Sequence, residues 1–544
     1  MYAVSVTPVS RYIMQDYSLT IDKILDHAAK WHGDHEIVSA NAGRVVNRTS
    51  YSGLRARSNL MSGALAALGL RHGDRVATLA WNSIHHLEMY FATMGAGYIC
   101  HTLNPRLAVD HLTAIINEAE ARALAVASSL VPLFAKIAPH CPSVECAIVM
   151  DGHTTESGAA EGLEATVWLH DTLLKDLGAP VTWGDFDEQT PAGLCYTSGT
   201  TGSPKGVLYT HRSNFLHTLR ALQADAFALT RNDVQLVAVP MFHANGWGLP
   251  FAAPAVGTKL VLPGRSLDGA SLTRLMREEN VTVAAGVPTV WLGVLEHLES
   301  EGGELPDLQR ILIGGSSCPD SLIQHMQQRM GVRVQTSWGM TEISPLGTIS
   351  APNLSATPTV ASGRPPLGLD IKLTSADGVL LSRQRGEVGH LKVKGFAAVD
   401  RYYKCEGGLL DEDGYFDTGD LASIDDDGNL TICGRSKDLI KSGGEWINPA
   451  EIEDIIGRHP AISQVAVIAR PDSKWGERPI LVVELRPGGH VDSGTLIESL
   501  RGKIADWWIP DHVEQVSSMP LAATGKIDKV QLRTMYGNSR AAVQ

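Results

Sequence analysis

Eleven residues, Tyr196-Thr197-Ser198-Gly199-Thr200-Thr201-Gly202-Ser203-Pro204-Lys205-Gly206, constrain this chain more than any other stretch. They set three glycines among Ser and Thr hydroxyls and one lysine. That is the equipment of a loop that wraps polyphosphate with bare backbone N–H groups, hydroxyl donors and one cation. Ordinary surface turns use the same residue types, so the order has to carry the argument. A Walker A loop reads G-x-x-x-x-G-K-[ST] and opens a helix, whereas here Lys205 precedes Gly206 and a strand-like run, Val207-Leu208-Tyr209-Thr210, follows. The loop is expected to join two strands, with a P-loop ATPase as the weaker alternative.

With 544 residues the chain exceeds what one hydrophobic core usually supports, so two or more domains are expected. Its 44% hydrophobic and 19% charged residues fit a globular protein with substantial cores. A formal charge of −13 without any Lys/Arg run argues against nucleic-acid binding. Polyphosphate must then meet locally placed cations on an acidic molecule. The cysteines, Cys100, Cys141, Cys146, Cys195, Cys318, Cys405 and Cys433, are odd in number, scattered and free of C-x-x-C pairs. Neither a disulfide framework nor a cysteine zinc site is indicated, and a reducing cytoplasm is the expected location. No signal peptide and no membrane span are expected, since no charged-then-apolar leader and no run of about 18 apolar residues occurs.

Along the chain, Ile21 to Trp31 and Tyr51 to Leu68 carry helical patterns, the second preceded by Thr49-Ser50 as N-caps. Asp74 to Ala80 reads as a strand, followed by a helical segment through Met94 and a polar turn over His101 to Arg106. Strand and helix then alternate to about Met150, which points to parallel α/β layers. Asp151 to Gly162 reads as an exposed loop. Ser213 is the expected cap of a helix over Asn214 to Leu222. Val234 to Pro240 reads as a buried strand that delivers Met241-Phe242-His243-Ala244-Asn245-Gly246-Trp247. Arg310 to Ile313 is a strand ending in Gly314-Gly315-Ser316-Ser317, where a flat ring can approach the backbone. Asp425 to Asn429 has contiguous acids and no twelfth-position Glu, so it reads as a hairpin turn rather than a calcium loop. Asn448-Pro449 opens a helix, and strands at Val465 to Ala469 and Ile480 to Leu485 with a helix at Leu496 to Ile504 make a small α+β domain.

The loop at 196 to 206 resembles the signature of the adenylate-forming superfamily, which contains acyl-CoA synthetases, adenylation domains of peptide synthetases and luciferases. The resemblance extends from about Thr20 to Met535, with its motifs in order. It implies an α/β fold with a large multi-subdomain N-terminal adenylation domain over 1–433, a hinge at 434–440, and a small, mobile α+β C-terminal domain over 441–544. It implies ATP, Mg²⁺ and coenzyme A, with a small carboxylate as the other substrate, and it allows a homodimer. ATP contacts are implied for Thr197, Ser198, Gly199, Thr200, Thr201, Gly202 and Lys205 of the loop, and for Ala244, Gly315, Ser316, Thr336, Ser337, Trp338 and Thr341. Trp338, where relatives usually carry Tyr, matches the surface on which adenine stacks. Glu342 matches the magnesium carboxylate, with Thr200 as the other protein ligand. Asp420 closes Tyr415-Phe416-Asp417-Thr418-Gly419-Asp420 and matches the aspartate on the ribose, where a carboxylate accepts both hydrogen bonds of a vicinal diol. His243, Trp247 and Gly339 match the acyl pocket, with Trp247 as its gate. Gly434 to Ile447 resembles the superfamily's linker motif, with Lys437 at the pivot and Arg435 near the ribose. Lys441 and Trp446 take nucleotide-contacting positions, and Gly443, Gly444 and Glu445 line the coenzyme A tunnel. Lys526, after Thr524-Gly525, matches the adenylation lysine.

The implied enzyme is an AMP-forming acid–thiol ligase in which Lys526, His243 and Glu342 are the expected catalytic residues. Two anions must meet, so catalysis rests on positioning and charge neutralisation rather than on a protein nucleophile. The small domain is then expected to rotate about Lys437, withdrawing Lys526 so that the coenzyme A thiolate can attack the acyl adenylate. His243 to Gly248, Ile440 to Trp446 and Trp507 to Asp511 look most like the branch acting on fatty acids and on 3-methylmercaptopropionate. The expected acid is 3-(methylthio)propionate, as in dimethylsulfoniopropionate catabolism, with general short- or medium-chain fatty acids as the alternative. A carrier-protein adenylating enzyme, a luciferase-like oxidase and a non-catalytic nucleotide sensor are the other readings; a sensor should have lost Lys526 or Glu342.

Overall fold

Buried parallel strands read as continuous apolar runs, and Ala123–Ala127 and Cys146–Met150, buried at every position, set the pattern for the large part of the chain. In the computed structural model, which describes residues 14–152, 166–197, 204–352, 361–443, 445–486, 488–522 and 527–537, they belong to a seven-stranded sheet. Its order is Thr166–Leu169, Cys146–Met150, Ala123–Ala127, Arg75–Leu79, Ile99–Leu103, Pro191–Tyr196, Gly206–Thr210, antiparallel only at the last pair. An eight-stranded sheet runs Leu346–Ile349, Arg333–Gly339, Arg310–Ile313, Val283–Gly286, Val234–Val237, Lys259–Leu262, Glu36–Asn41, Arg44–Ser50, antiparallel only at its two ends.

Helix Ile84–Gly95 lies between these sheets. Met89 and Ala92 pack with Val76 and Leu79 of the first, while Leu87, Tyr90 and Phe91 join Val237 and Leu260 of the second. A four-stranded antiparallel sheet follows, of Leu369–Thr374, Val388–Gly395, Phe416–Ile424 and Leu430–Arg435. The last sheet, of Glu445–Ile447, Ile440–Ser442, Gly476–Leu485, Ile462–Asp472 and His512–Val516, carries helix Pro449–Gly457 and forms the small α+β unit. The architecture is the expected α/β class with a small α+β unit at its end.

The local expectations fare unevenly. Ser50 caps its helix by accepting from Gly53 N at 3.2 Å, and Asn448 accepts from Ala450 N at 3.1 Å with Pro449 in the first turn. Asp425 to Asn429 is a hairpin turn, with Asp425 N donating to Asn429 O at 3.0 Å. The loop of the opening argument does join two strands: Tyr196 faces Gly206 across an antiparallel pair, and Thr197 N donates to Lys205 O at 2.9 Å. Three expectations need correction. The helix expected from Asn214 is His211–Ala221, capped by Thr210, with Ser213 completing a reciprocal box from the third helical position. His101 to Leu103 end a buried strand rather than forming a polar turn, because the pleat sets them into the core of a parallel sheet. The helix expected at Leu496 to Ile504 is Ser493–Glu498, begun by an Asp492 cap. Most of the expected loop from Asp151 to Gly162 lies outside the described residues.

Burial holds four imidazoles neutral: His86 is lowered to about 4, His101 and His211 to about 3, and His217 falls well below the ordinary 6.5. The unfolded chain takes up these protons near pH 6.5 and the folded chain does not, so their stability is present above that value and lost as pH falls. Urea midpoints are expected to drop steadily from about pH 7 to about pH 5, before ordinary carboxylates titrate. Constant midpoints across that window would contradict the neutral burial of these rings.

Candidate active site

Strand Val234–Val237 runs out where the two large sheets meet, and one side chain holds it there. Asn82, in the turn after Arg75–Leu79, donates to Val237 O and Val239 O at 2.8 Å each and accepts from Met241 N at 2.7 Å. It is 3% exposed, so three buried backbone groups depend on it. Tyr90, on the helix between the sheets, donates to Met241 O.

Past this clamp the backbone turns left-handed for five residues. Ala244, Asn245, Gly246, Trp247 and Gly248 have φ from 37° to 76°. For Ala, Asn and Trp each such position costs roughly 1–2 kcal/mol, so surrounding contacts must hold the turn. The Cys195 thiol donates to Asn245 Oδ1 at 3.3 Å, and Gly246 N donates to His243 O at 2.9 Å. The Trp247 indole lies against Gly314 and Gly315, where an added Cβ would meet the ring at 3.3 and 3.5 Å. His243 is half-buried at a cleft shared with Thr102, Leu103, Leu107, Thr197 and Phe242. Ala244 is buried beside it.

A buried acid forms the second part of the site. Glu342, in the turn Thr341–Ile343, is 8% exposed, and its Oε1 accepts from the Tyr402 hydroxyl at 2.9 Å. Burial raises its pKa above the ordinary carboxylate value, against the Tyr402 hydrogen bond and the Arg435 charge. The Lys205 ammonium sits over the Tyr402 ring, 4.8 Å from its centroid, so one phenol connects Lys205 to the acid. The Tyr209 hydroxyl donates to Thr341 O at 2.7 Å. Behind the turn, Arg220 Nη2 donates to Ile343 O at 3.1 Å and Leu346 O at 2.6 Å, and His217 Nε2 accepts from Leu346 N at 3.2 Å. These two lie three residues apart on one helix face. Burial lowers the Arg220 guanidinium to about 10.

The third part adjoins Glu342. Asp420 accepts from Trp338 Nε1 at 2.9 Å and pairs with Arg435 Nε at 2.8 Å, its cross-strand partner. Trp338 is 8% exposed. The hydroxyls nearby already serve the strand: Thr336 Oγ1 donates to Ala361 O at 2.6 Å and Ser337 Oγ to Ile313 O at 2.9 Å. Gly339 and Ser316 are exposed, and a Cβ on Gly339 would fall 2.2 Å from Pro345 O.

The small-domain residues keep their described contacts among themselves. Lys441 faces Trp446 across a hairpin, its ammonium 5.4 Å from the ring centroid, and its N–H donates to Glu477 at 2.8 Å. Gly443, with φ 61°, donates to Trp475 O at 2.7 Å. Glu445 and Lys437 are exposed. Ser198, Gly199, Thr200, Thr201, Gly202, Gly444 and Lys526 lie outside the described residues. Lys205, Thr341, Glu342, Trp338, Asp420 and Arg435 thus come together. Sequence reasoning missed Asn82, Tyr209, His217, Arg220 and Tyr402. The spacing of His217 and Arg220 on one helix face was the only signal available for any of them.

A family model described as AMP-binding enzyme matches residues 25–403, and one described as AMP-binding enzyme C-terminal domain matches residues 451–526. A medium-chain-fatty-acid–CoA ligase of Ectopseudomonas oleovorans is 41% identical over 536 residues, 96% of this chain and 97% of that protein. A 3-methylmercaptopropionyl-CoA ligase of Ruegeria lacuscaerulensis is 42% identical over 534 residues, 96% of this chain and 98% of that one. The solved structure of an O-succinylbenzoate coenzyme A synthetase of Bacillus subtilis, in complex with ATP and magnesium ion, has a TM-score of 0.78 at 25% identity, covering 94% of this chain and 99% of that one.

Replacing Asn82 by Ala leaves two buried carbonyls and one N–H without their partner. The expected loss is roughly 3 kcal/mol of unfolding stability, read from denaturant titration. A variant as stable as the parent would show that the clamp is dispensable.

Proposed function

The chain belongs to the AMP-binding enzyme family, and we propose from that premise how its residues divide the work. It is an acyl-CoA ligase that acts through an acyl adenylate and uses ATP, Mg²⁺ and coenzyme A. The observation that most supports this division is buried Glu342 bonded to half-buried Tyr402, set between Lys205 of the phosphate loop and the Asp420–Arg435 pair.

Asp420 takes the ribose hydroxyls, exchanging part of its present pairing for the diol, and the Trp338 indole borders the base. Thr197 to Gly202 and Lys205 cradle the phosphates. Glu342 is a buried hard-oxygen donor with one oxygen steadied by a phenol, which fits magnesium, and Thr200 would share the ion. Magnesium at that point supplies neutralisation of phosphate charge. His243 borders the carboxylate of the acid, and Trp247 against Gly314 and Gly315 closes the acyl pocket. Lys526 reaches the reacting oxygens during adenylation. Residues 441–544 then turn about 434–440, pivoting at Lys437, and bring Gly443, Gly444 and Glu445 to line the entry of coenzyme A, with Lys441 and Trp446 on the nucleotide side. A cytoplasmic location completes the reading; no described helix is long and apolar enough to cross a membrane.

For the acid we propose 3-(methylthio)propionate together with unbranched acids of similar length. Relatives of nearly equal identity carry the two kinds of name, and a thioether is close to a methylene chain in shape and polarity. Pyrophosphate release across acids of rising length, with and without coenzyme A, tests both levels. Butyrate and 3-(methylthio)propionate are expected to show comparable kcat/KM, and coenzyme A to carry product on to thioester. A wide gap between the two acids removes the substrate proposal, and thioester formed only on a carrier protein removes free coenzyme A as acceptor.

Tyr402→Phe keeps the ring under Lys205 but removes the hydrogen bond to Glu342. The Mg²⁺ concentration for half-maximal pyrophosphate release should rise roughly tenfold. An unchanged Mg²⁺ dependence would detach Tyr402 from the metal carboxylate.

A further inference from the structure

Helix Ile84–Gly95 carries at its N-terminal end a polar cluster that the ligase chemistry does not use. His85 lies in its first turn, and His170 begins helix His170–Leu177; the two rings meet edge to face with centroids 4.7 Å apart. Asp171 Oδ1 lies 3.9 Å from His85 Nε2 and 3.4 Å from His170 Nδ1. One donor atom from each residue falls within 4.8 Å of the other two. A tetrahedral centre with bonds of about 2.0–2.1 Å spaces its ligand atoms about 3.4 Å apart, so the Asp171 contacts already match to within about 0.5 Å and the rings have at most about 1.4 Å to close.

The nitrogens on the far sides of the rings meet carboxylates. His85 Nδ1 is 2.5 Å from Asp151 Oδ1, and His170 Nε2 is 3.2 Å from Glu88 Oε2. Ligating imidazoles almost always donate their other ring N–H to such a group, which fixes tautomer and orientation. The His85 ring carries that hydrogen bond; at His170 the Glu88 carboxylate lies within ion-pair distance without forming one. The side chains of His170 and Glu88 are 2% and 0% exposed, while that of Asp171 is 67% exposed, giving a fixed floor with an open mouth for water and entry. The cluster holds three carboxylates, Glu88, Asp151 and Asp171, and one guanidinium, that of Arg57, which pairs with Glu88 and lies 2.7 Å from Asp171 Oδ1. With neutral imidazoles two negative charges remain, the complement of a divalent cation. Asp171 has a second oxygen, so Arg57 and a cation can share it.

We propose that His85, His170 and Asp171 bind one zinc-class divalent ion, separate from the magnesium of the nucleotide. Two imidazoles and a carboxylate suit zinc or cobalt, whereas magnesium prefers oxygen donors alone. A bound ion would tie helix His170–Leu177 to the start of the helix that follows the Asn82 clamp.

The untagged full chain, stripped by chelator and kept in excess Mg²⁺, is titrated with Co²⁺ and then Zn²⁺. One saturable Co²⁺ per chain is expected, with visible d–d bands that zinc displaces, and the ion should raise the unfolding temperature. Either His85→Asn or Asp171→Asn, both near the surface, should weaken binding by at least about tenfold. No saturable binding by the parent chain, or binding that both variants retain, overturns the proposal.

Discussion

One amide side chain, that of Asn82, bonds three backbone groups across the seam between two sheets, and the rest of the site is measured from that seam. Parallel sheets send their strands out in one direction, and ligands in such folds gather beyond the carboxyl ends. Here Arg75–Leu79 delivers Asn82, Pro191–Tyr196 the loop that ends at Lys205, Val234–Val237 His243, Arg310–Ile313 the glycine pair, and Arg333–Gly339 Glu342. Strand ends from two separate sheets face one cleft only if those sheets are locked against each other. The apolar helix between them supplies the bulk of that lock, and Asn82 supplies its direction.

The molecule is acidic overall, yet its chemistry joins anions. It meets this with few cations and with control of where acids are buried. Glu342 is kept in a low-dielectric turn where its charge is most useful to a metal and most costly without one. Arg220 anchors that turn through carbonyls, and its Nε and Nη1 have no hydrogen-bond partner among the described residues. The buried guanidinium is held instead by those two carbonyls and by the Phe396 ring, 5.4 Å from its carbon. His217, held neutral by the same burial, accepts from the next backbone N–H of the loop.

The glycine, hydroxyl and lysine stretch at 196–206 stood out from its residues alone, while the magnesium and ribose assignments came from the resemblance of the motifs that follow it. Strand and helix alternation was legible too, since apolar runs and caps are local. What holds the site in place was not. Asn82 bonds residues more than 150 positions away, and Tyr402 meets Glu342 from 60 positions on, so nothing near either residue in the chain marks it. His101 shows the opposite failure: a polar residue before Asn-Pro suggests a turn, but the sheet buries it. Local preference loses to tertiary packing there, as it does at the shortened helix Ser493–Glu498.

The run of left-handed residues from Ala244 to Gly248 limits how the proposed acyl pocket could diversify. A β-branched side chain introduced there would lose more in backbone energy than a better fit to the acid would return. Lineages that change their preferred chain length should therefore keep this turn and vary side chains across from it such as Val287, because Gly315 is itself left-handed at φ 83° and a Cβ on Gly314 would meet Ser337 Oγ at 2.4 Å. The strained segment would then act as the fixed jaw of the proposed pocket, and the ordinary side chains facing it as the adjustable one.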